Sequence, residues 1–238
     1  MCIWIIRFIP NGTGHTRNRK EVILKHLIFD IDGTLWNTTG VVAGAWNKAV
    51  RASGIEELKD LNITDKMLQR EFGKPMDEIA DDLFGDIDPV KKAELLENCC
   101  RLEHEAISDN TEDLAYEGMR ETLAELAKDN NLYIVSNCQN GYIELVIEKN
   151  GLKDIIKDYE CFGHTGLLKA DNIKLVMQRN NMDKAYYIGD TMGDYNSAKE
   201  AGAVFVFADY GFGEVPEPDY TIHSPSELLE IEKFFKKN

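Results

Sequence analysis

Apolar and polar positions divide the chain into two kinds of territory. The run VILKHLIFD at residues 22–30 is short and β-branched, which predicts a buried strand. It ends in DIDGT, where Gly33 marks a turn. From about residue 40 to 110 apolar positions recur at helical spacing. The stretches are VVAGAWNKAVRASG, ITDKMLQREFG, MDEIADDLFG and DPVKKAELLENCCRLEHEAI, punctuated by Gly54, Gly73 and Gly85, with no convincing strand between them. This predicts a small helical module.

After Glu112 strands and helices alternate. A helix around MRETLAELAKD precedes strand LYIVSN, then a helix around YIELVIEKNG that stops at Gly151. A short strand at YECFG leads to a helix around DNIKLVMQRNN, strand AYYIGD, helix DYNSAKEAG and strand VFVFAD. The closing SPSE reads as a capping box that opens a last helix, with Ser224 as N-cap and Glu227 three residues on.

Such alternation implies a parallel sheet covered on both faces. The expected fold is therefore α/β, a Rossmann-like three-layer α/β/α core with an inserted α-helical module. The core takes residues 22–37 and 113–238, the insertion takes 38–112, and residues 1–21 form an N-terminal extension outside the fold.

Composition narrows the function. Of 238 residues, 43% are hydrophobic and 29% charged, as in a folded domain, and the formal net charge is −15. That charge argues against nucleic acid or an anionic membrane as a partner, though not against a small anion beside a bound cation. The apolar start MCIWIIRFIP is far shorter than the roughly 20 residues a membrane span needs. Five cysteines without CxxC spacing fit reduced thiols and a cytoplasmic location rather than zinc or a disulfide framework.

Candidate chemistry lies where open α/β sheets bind ligands, at the carboxyl ends of the strands. LIFDIDGT, YIVSN and YYIGDTMGD all end in polar residues there, bringing Asp30, Asp32, Ser136, Asn137, Asp190 and Asp194 to one edge. Carboxylates about 4 Å apart repel by about 4 kcal/mol at an effective dielectric near 20, so such a cluster calls for a cation or a held proton. Hard oxygen donors without paired histidines or thiolates favour Mg2+. None of His15, His26, His104, His164 or His223 has such a spacing.

FDIDGTL, VSN, Lys169 and GDTMGD resemble, in order, the four motifs of haloacid dehalogenase-type phosphatases. AKEAGA and YGFGE look like the phosphoglycolate phosphatase-like subgroup, whose helical cap the insertion resembles. The resemblance implies that Asp30 attacks phosphorus and forms an aspartyl-phosphate, a covalent route that splits one hard step into two. It implies that Asp32 protonates the leaving oxygen and later activates water. Mg2+ would be held by Asp30, the Asp32 carbonyl, Asp190 and Asp194, the last directly or through water. Ser136, Asn137, Lys169 and Thr34 would bind or support the phosphoryl group, with Lys174 competing with Lys169 for its role. Lys74, in the turn GKP, would reach the substrate beyond its phosphate, with Arg51 and Arg70 as weaker candidates. Trp36 either closes over substrate or packs as a hinge.

The implied activity is phosphatase action on a small phosphorylated metabolite: a phosphoglycolate-like compound, a sugar phosphate or a nucleotide. The protein would act as a monomer or homodimer. Asp32 argues against dehalogenation, which needs no leaving-group acid. A sugar-phosphate mutase and an inactive phosphate-binding regulator remain the alternatives.

Overall fold

The computed structural model describes residues 25–230. The expectations for residues 1–21 and for the start of the first strand at Val22 lie outside them.

The first apolar run becomes β1 (Lys25–Phe29), with β2 (Asn130–Ser136), β3 (Ile156–Cys161), β4 (Ala185–Gly189), β5 (Val204–Ala208) and β6 (Tyr220–Ile222) following. All neighbours pair in parallel, in the order β3-β2-β1-β4-β5-β6. The chain runs outward to one side of β1 and then returns to its other side, so β1 lies at the point where strand order reverses. Ligands of open α/β sheets bind there.

Alternation along the strands builds two apolar layers. Leu27, Phe29, Ile134 and Ile188 face one side, where they meet Leu123 of α5 (Met119–Leu126) and Ile143 and Val146 of α6 (Tyr142–Asn150). Ile28, Tyr133, Tyr187 and Phe205 face the other side, against Ile173 and Val176 of α8 (Lys169–Arg179) and Ala198 of α9 (Met192–Ala201). A short helix, α7 (Phe162–Thr165), follows β3.

Between β1 and β2 stand α1 (Thr39–Ser53), α2 (Asp65–Glu71), α3 (Met76–Phe84) and α4 (Pro89–Asp109). α1 stops at Gly54, whose φ of 63° is one that side chains disfavour. The Asp88 carboxylate caps the free amides of Val90 and Lys91 at the start of α4. The buried residues of α4 are Leu95, Cys99, Glu103 and Ile107, an i, i+4 stripe facing the rest of the protein. One member of that stripe is a carboxylate. The two chain crossings into and out of this helical cap run side by side, with Asn37 N donating to Leu114 O at 2.9 Å and Tyr116 N donating to Leu35 O at 3.2 Å.

Two expectations need correction, and one strand went unread. The YECFG strand begins earlier, at Ile156, because the β2 register extends its pairing back to Leu132. The short strand β6 was not foreseen; three residues carry too little alternation to read. SPSE forms no capping box: Ser224 Oγ pairs with Ser226 Oγ at 3.1 Å, Glu227 Oε2 accepts from His223 N at 2.9 Å, and Pro225–Glu227 is a 3-10 turn.

Candidate active site

Register places the acidic strand ends together. Phe29 pairs with Ile134 on one side and Ile188 on the other, so Asp30 stands level with Val135 and Gly189, one residue before Ser136 and Asp190. One carboxylate oxygen from each of Asp30, Asp190 and Asp194 lies within 4.8 Å of the others, and all three residues are buried. Lys169 is buried with them, its Nζ 3.0 Å from Asp30 Oδ1 and 2.6 Å from Asp194 Oδ1.

Local structure explains each placement. Gly33 turns the chain at φ 85°, and a Cβ there would lie 2.0 Å from Asp190 Oδ2. Only glycine lets the β1 loop approach that closely. Gly211 meets the same side chain from the loop after β5, where a Cβ would lie 2.3 Å from Asp190 Cβ. Phe212 N donates to Asp190 Oδ2 at 2.8 Å. The YGFGE segment therefore clamps Asp190.

Asp194 sits in a capping box with Thr191 at the start of α9. Its Oδ2 accepts from Thr191 Oγ1 (2.7 Å), Thr191 N (3.0 Å) and Asp190 N (3.2 Å), while Oδ1 accepts from Lys169 and Tyr187. Lys169 opens α8, where the helix dipole disfavours a cation. The two carboxylates overcome both that and burial: burial lowers its pKa, Asp194 and Asp30 raise it, and the net shift is upward. The competitor Lys174 is exposed and bound to Asp171 and Glu200.

Burial raises the Asp30 pKa to about 6, with Lys169 opposing and Asp194 adding to the rise. Asp190 is pushed well up by burial, then by Asp194 and Asp30. Three carboxylates and one ammonium leave two formal negative charges in a buried space. A divalent cation would balance them. The donors are all oxygen and two of them are comparatively free of other bonds, which suits a hard cation.

Asp32 takes a different environment. Its Oδ1 accepts from Tyr142 Oη at 2.8 Å and Thr38 Oγ1 at 2.9 Å. Burial raises its pKa to about 7, against the opposing pull of those two hydrogen bonds. It lies beside the cluster without its carboxylate joining it.

Asp30, Asp32, Ser136 and Asn137 line a cavity that cap residues Phe72, Lys74 and Glu103 close from above. The space inside it holds about 30 Å³, room for a water or two. The Ser136 hydroxyl acts on the Asp30 carboxylate and lowers its pKa slightly. Asn137 Nδ2 donates to Gly73 O across the gap at 2.8 Å, leaving its buried Oδ1 without a hydrogen-bond partner. Thr34 is fully buried outside the cavity lining, and its hydroxyl donates to Asp190 Oδ1 at 3.2 Å. Lys74 reaches the cavity wall with its ammonium held by Glu71 at 2.6 Å and Asp82 at 2.7 Å. Trp36 is buried against Tyr142 and pairs with Ala115, a hinge position.

Sequence reading missed Tyr142 and Thr38 on Asp32, the Phe212 amide on Asp190, and Glu103. Closely spaced glycines at 211 and 213 were the visible signal for the clamp.

The model of the haloacid dehalogenase-like hydrolase family matches residues 27–208. A phosphoglycolate phosphatase of Vibrio parahaemolyticus is 27% identical over 87% of this chain and 96% of its own length. An N-acetylmuramic acid 6-phosphate phosphatase of Pseudomonas aeruginosa is 23% identical over 89% of this chain and 96% of its own. The crystal structure of CbbY from Rhodobacter sphaeroides in complex with phosphate shares the fold with a TM-score of 0.72, at 18% identity over 87% of this chain and 96% of that one. Among the described residues no helix is long and apolar enough to cross a membrane.

Proposed function

The chain belongs to the haloacid dehalogenase-like hydrolases and is a phosphatase, and we propose that it hydrolyses a small phosphorylated metabolite with Mg2+ through a phosphoryl-enzyme on Asp30. The observation that carries this reading is the pairing of Asp30 with buried Lys169 inside the acidic cluster. A bare carboxylate nucleophile beside an anionic phosphoryl group would be repelled. Lys169 offsets that repulsion and fixes the oxygen in place.

In this reading Asp30 and Asp190 would hold the metal. Asp194, whose oxygens already accept five hydrogen bonds, orients Lys169 and the backbone of Asp190. A cation held there would supply charge stabilisation for the phosphoryl oxygens. Ser136 and Lys169 donate to the same oxygens as charge spreads over them. Asn137 ties the phosphate-side loop to the cap through Gly73.

Asp32 manages the proton. A pKa of about 7 lets it hold one for the departing alkoxide and then take one from water. Tyr142 and Thr38 fix the carboxylate oxygen that they share. Asp30 Oδ attacks phosphorus as the P–O bond to the leaving group breaks and Asp32 transfers its proton to that oxygen. Water, losing its proton to Asp32, then attacks phosphorus and restores the Asp30 carboxylate.

Hydrolysis of p-nitrophenyl phosphate by full-length protein with Mg2+, beside Asp30→Asn, tests the reading. Phosphate release that is lost in Asp30→Asn is expected. Activity that survives the substitution would remove it.

A further inference from the structure

Glu103 is the one charged member of the buried α4 stripe, 4% exposed, and it lines the reaction cavity. Its Oε2 accepts from Trp46 Nε1 at 2.7 Å, and its Oε1 accepts from Gln139 Nε2 at 2.9 Å. A carboxylate oxygen offers two lone-pair positions, so each oxygen retains one. Leucine or methionine at this position would complete the apolar stripe but leave the buried Trp46 indole N–H without its acceptor. That donor occupies one lone pair of one oxygen, and the remaining acceptor capacity lies at the cavity.

The rest of the cap wall points the same way. Phe72, Met76 and Ile79 present carbon surface. Lys74 is the one cation among the lining residues, and it is already shared by Glu71 and Asp82, so that group carries one net negative charge. Ionised or protonated, Glu103 adds no positive charge. Burial holds its pKa near 7, with Gln139 and Trp46 opposing the rise.

Building on the phosphatase reading, we propose that Glu103 is a specificity residue that accepts a hydrogen bond from a hydroxyl of the leaving group, so that the substrate is an uncharged polyol or sugar monophosphate and not a carboxylate-bearing one. A hydroxylated carbon chain matches both features of the wall: its O–H groups reach Glu103 and its C–H faces lie on Phe72, Met76 and Ile79. A carboxylate would meet lone pairs and a net negative cluster. The phosphate end is common to both kinds of ester, so discrimination falls on this wall.

The test compares kcat/KM of the full-length protein with Mg2+ for 2-hydroxyethyl phosphate and glycerol 3-phosphate against 2-phosphoglycolate, which carries a carboxylate where 2-hydroxyethyl phosphate has its hydroxymethyl group. The hydroxylated esters should be favoured by at least about tenfold, as expected of a site built to pair a hydroxyl. Glu103→Gln, which keeps the shape and removes the charge, should shrink that ratio toward unity. A purely structural role for Glu103 would move all three esters in parallel and overturn the proposal. Preference of the wild type for 2-phosphoglycolate would overturn it too, and needs no variant to fold. Esters that are hydrolysed only while Asp30 is intact, yet with phosphoglycolate favoured, would overturn this inference alone. Absence of any Asp30-dependent hydrolysis would remove the phosphatase reading, and this inference with it.

Discussion

Lys169→Met removes the ammonium that touches both Asp30 and Asp194. All three side chains are at most 2% exposed, so water does not take over the lost contacts. The variant leaves Asp30, Asp190 and Asp194 within 4.8 Å of one another without internal positive charge. Breaking a buried ion pair by deleting one partner costs about 3–5 kcal/mol, because the other charge stays buried and uncompensated. For a protein of this size each 1 kcal/mol corresponds to about 2–4 °C in melting temperature, so the variant should melt roughly 10 °C below the wild type in EDTA. Added Mg2+ binds a more negative cluster in the variant and should raise its melting temperature by more than it raises that of the wild type. Phosphatase activity should fall about a hundredfold or more, since a donor to the reacting phosphoryl group is gone. Melting curves in EDTA and in MgCl2 test the argument. A variant within about 2 °C of wild type in EDTA, or equal metal stabilisation of both proteins, would refute the reasoning about charge in the cluster.

Two other perturbations have signs fixed by the structure. Tyr142→Phe removes a hydrogen bond that stabilises the Asp32 carboxylate and lowers its pKa; the Asp32 pKa should rise, and the alkaline limb of kcat/KM for alkyl phosphates should move to higher pH. An unchanged profile would separate Asp32 from leaving-group protonation. Glu103 has its pKa raised by burial from 4.5 to about 7, so the folded state holds this proton where the unfolded state has released it. Its contribution to stability is present below pH 4.5 and is lost as pH rises through 7. Relative to wild type, Glu103→Gln should therefore gain stability between pH 4.5 and 8, by on the order of 3 kcal/mol. Chemical denaturation at the two ends of that range reads the gap, and a constant gap would contradict the assigned ionisation.

The strand ends were legible because an apolar run that stops at an acid is a sharp boundary, as at Phe29–Asp30 and Gly189–Asp190. Lys169 was singled out by resemblance; one lysine at a helix start carries no pattern, and its burial follows from the approach of Asp194 from another helix. Thr34, inside the first motif FDIDGTL, is expected to bind or support the phosphoryl group, and the turn at Gly33 directs its hydroxyl to Asp190. Glu103 was hidden among neighbouring charges, Glu97, Arg101 and Glu105. Its signal was nonetheless present, since positions 95, 99, 103 and 107 share one helical face. What hid Tyr142 was distance in sequence: 110 residues separate it from Asp32, and only the pairing of β1 with β2 brings α6 beside the first loop.

The central claim is that the phosphoryl group passes through Asp30 before it reaches water. The stereochemical course at phosphorus tests this most directly, using an ester made chiral with oxygen isotopes and sulfur and hydrolysed in labelled water. Two successive in-line displacements, first by Asp30 and then by water, invert the centre twice, so the account predicts net retention. Net inversion would mean that water attacks the ester directly, and would contradict the role assigned to Asp30.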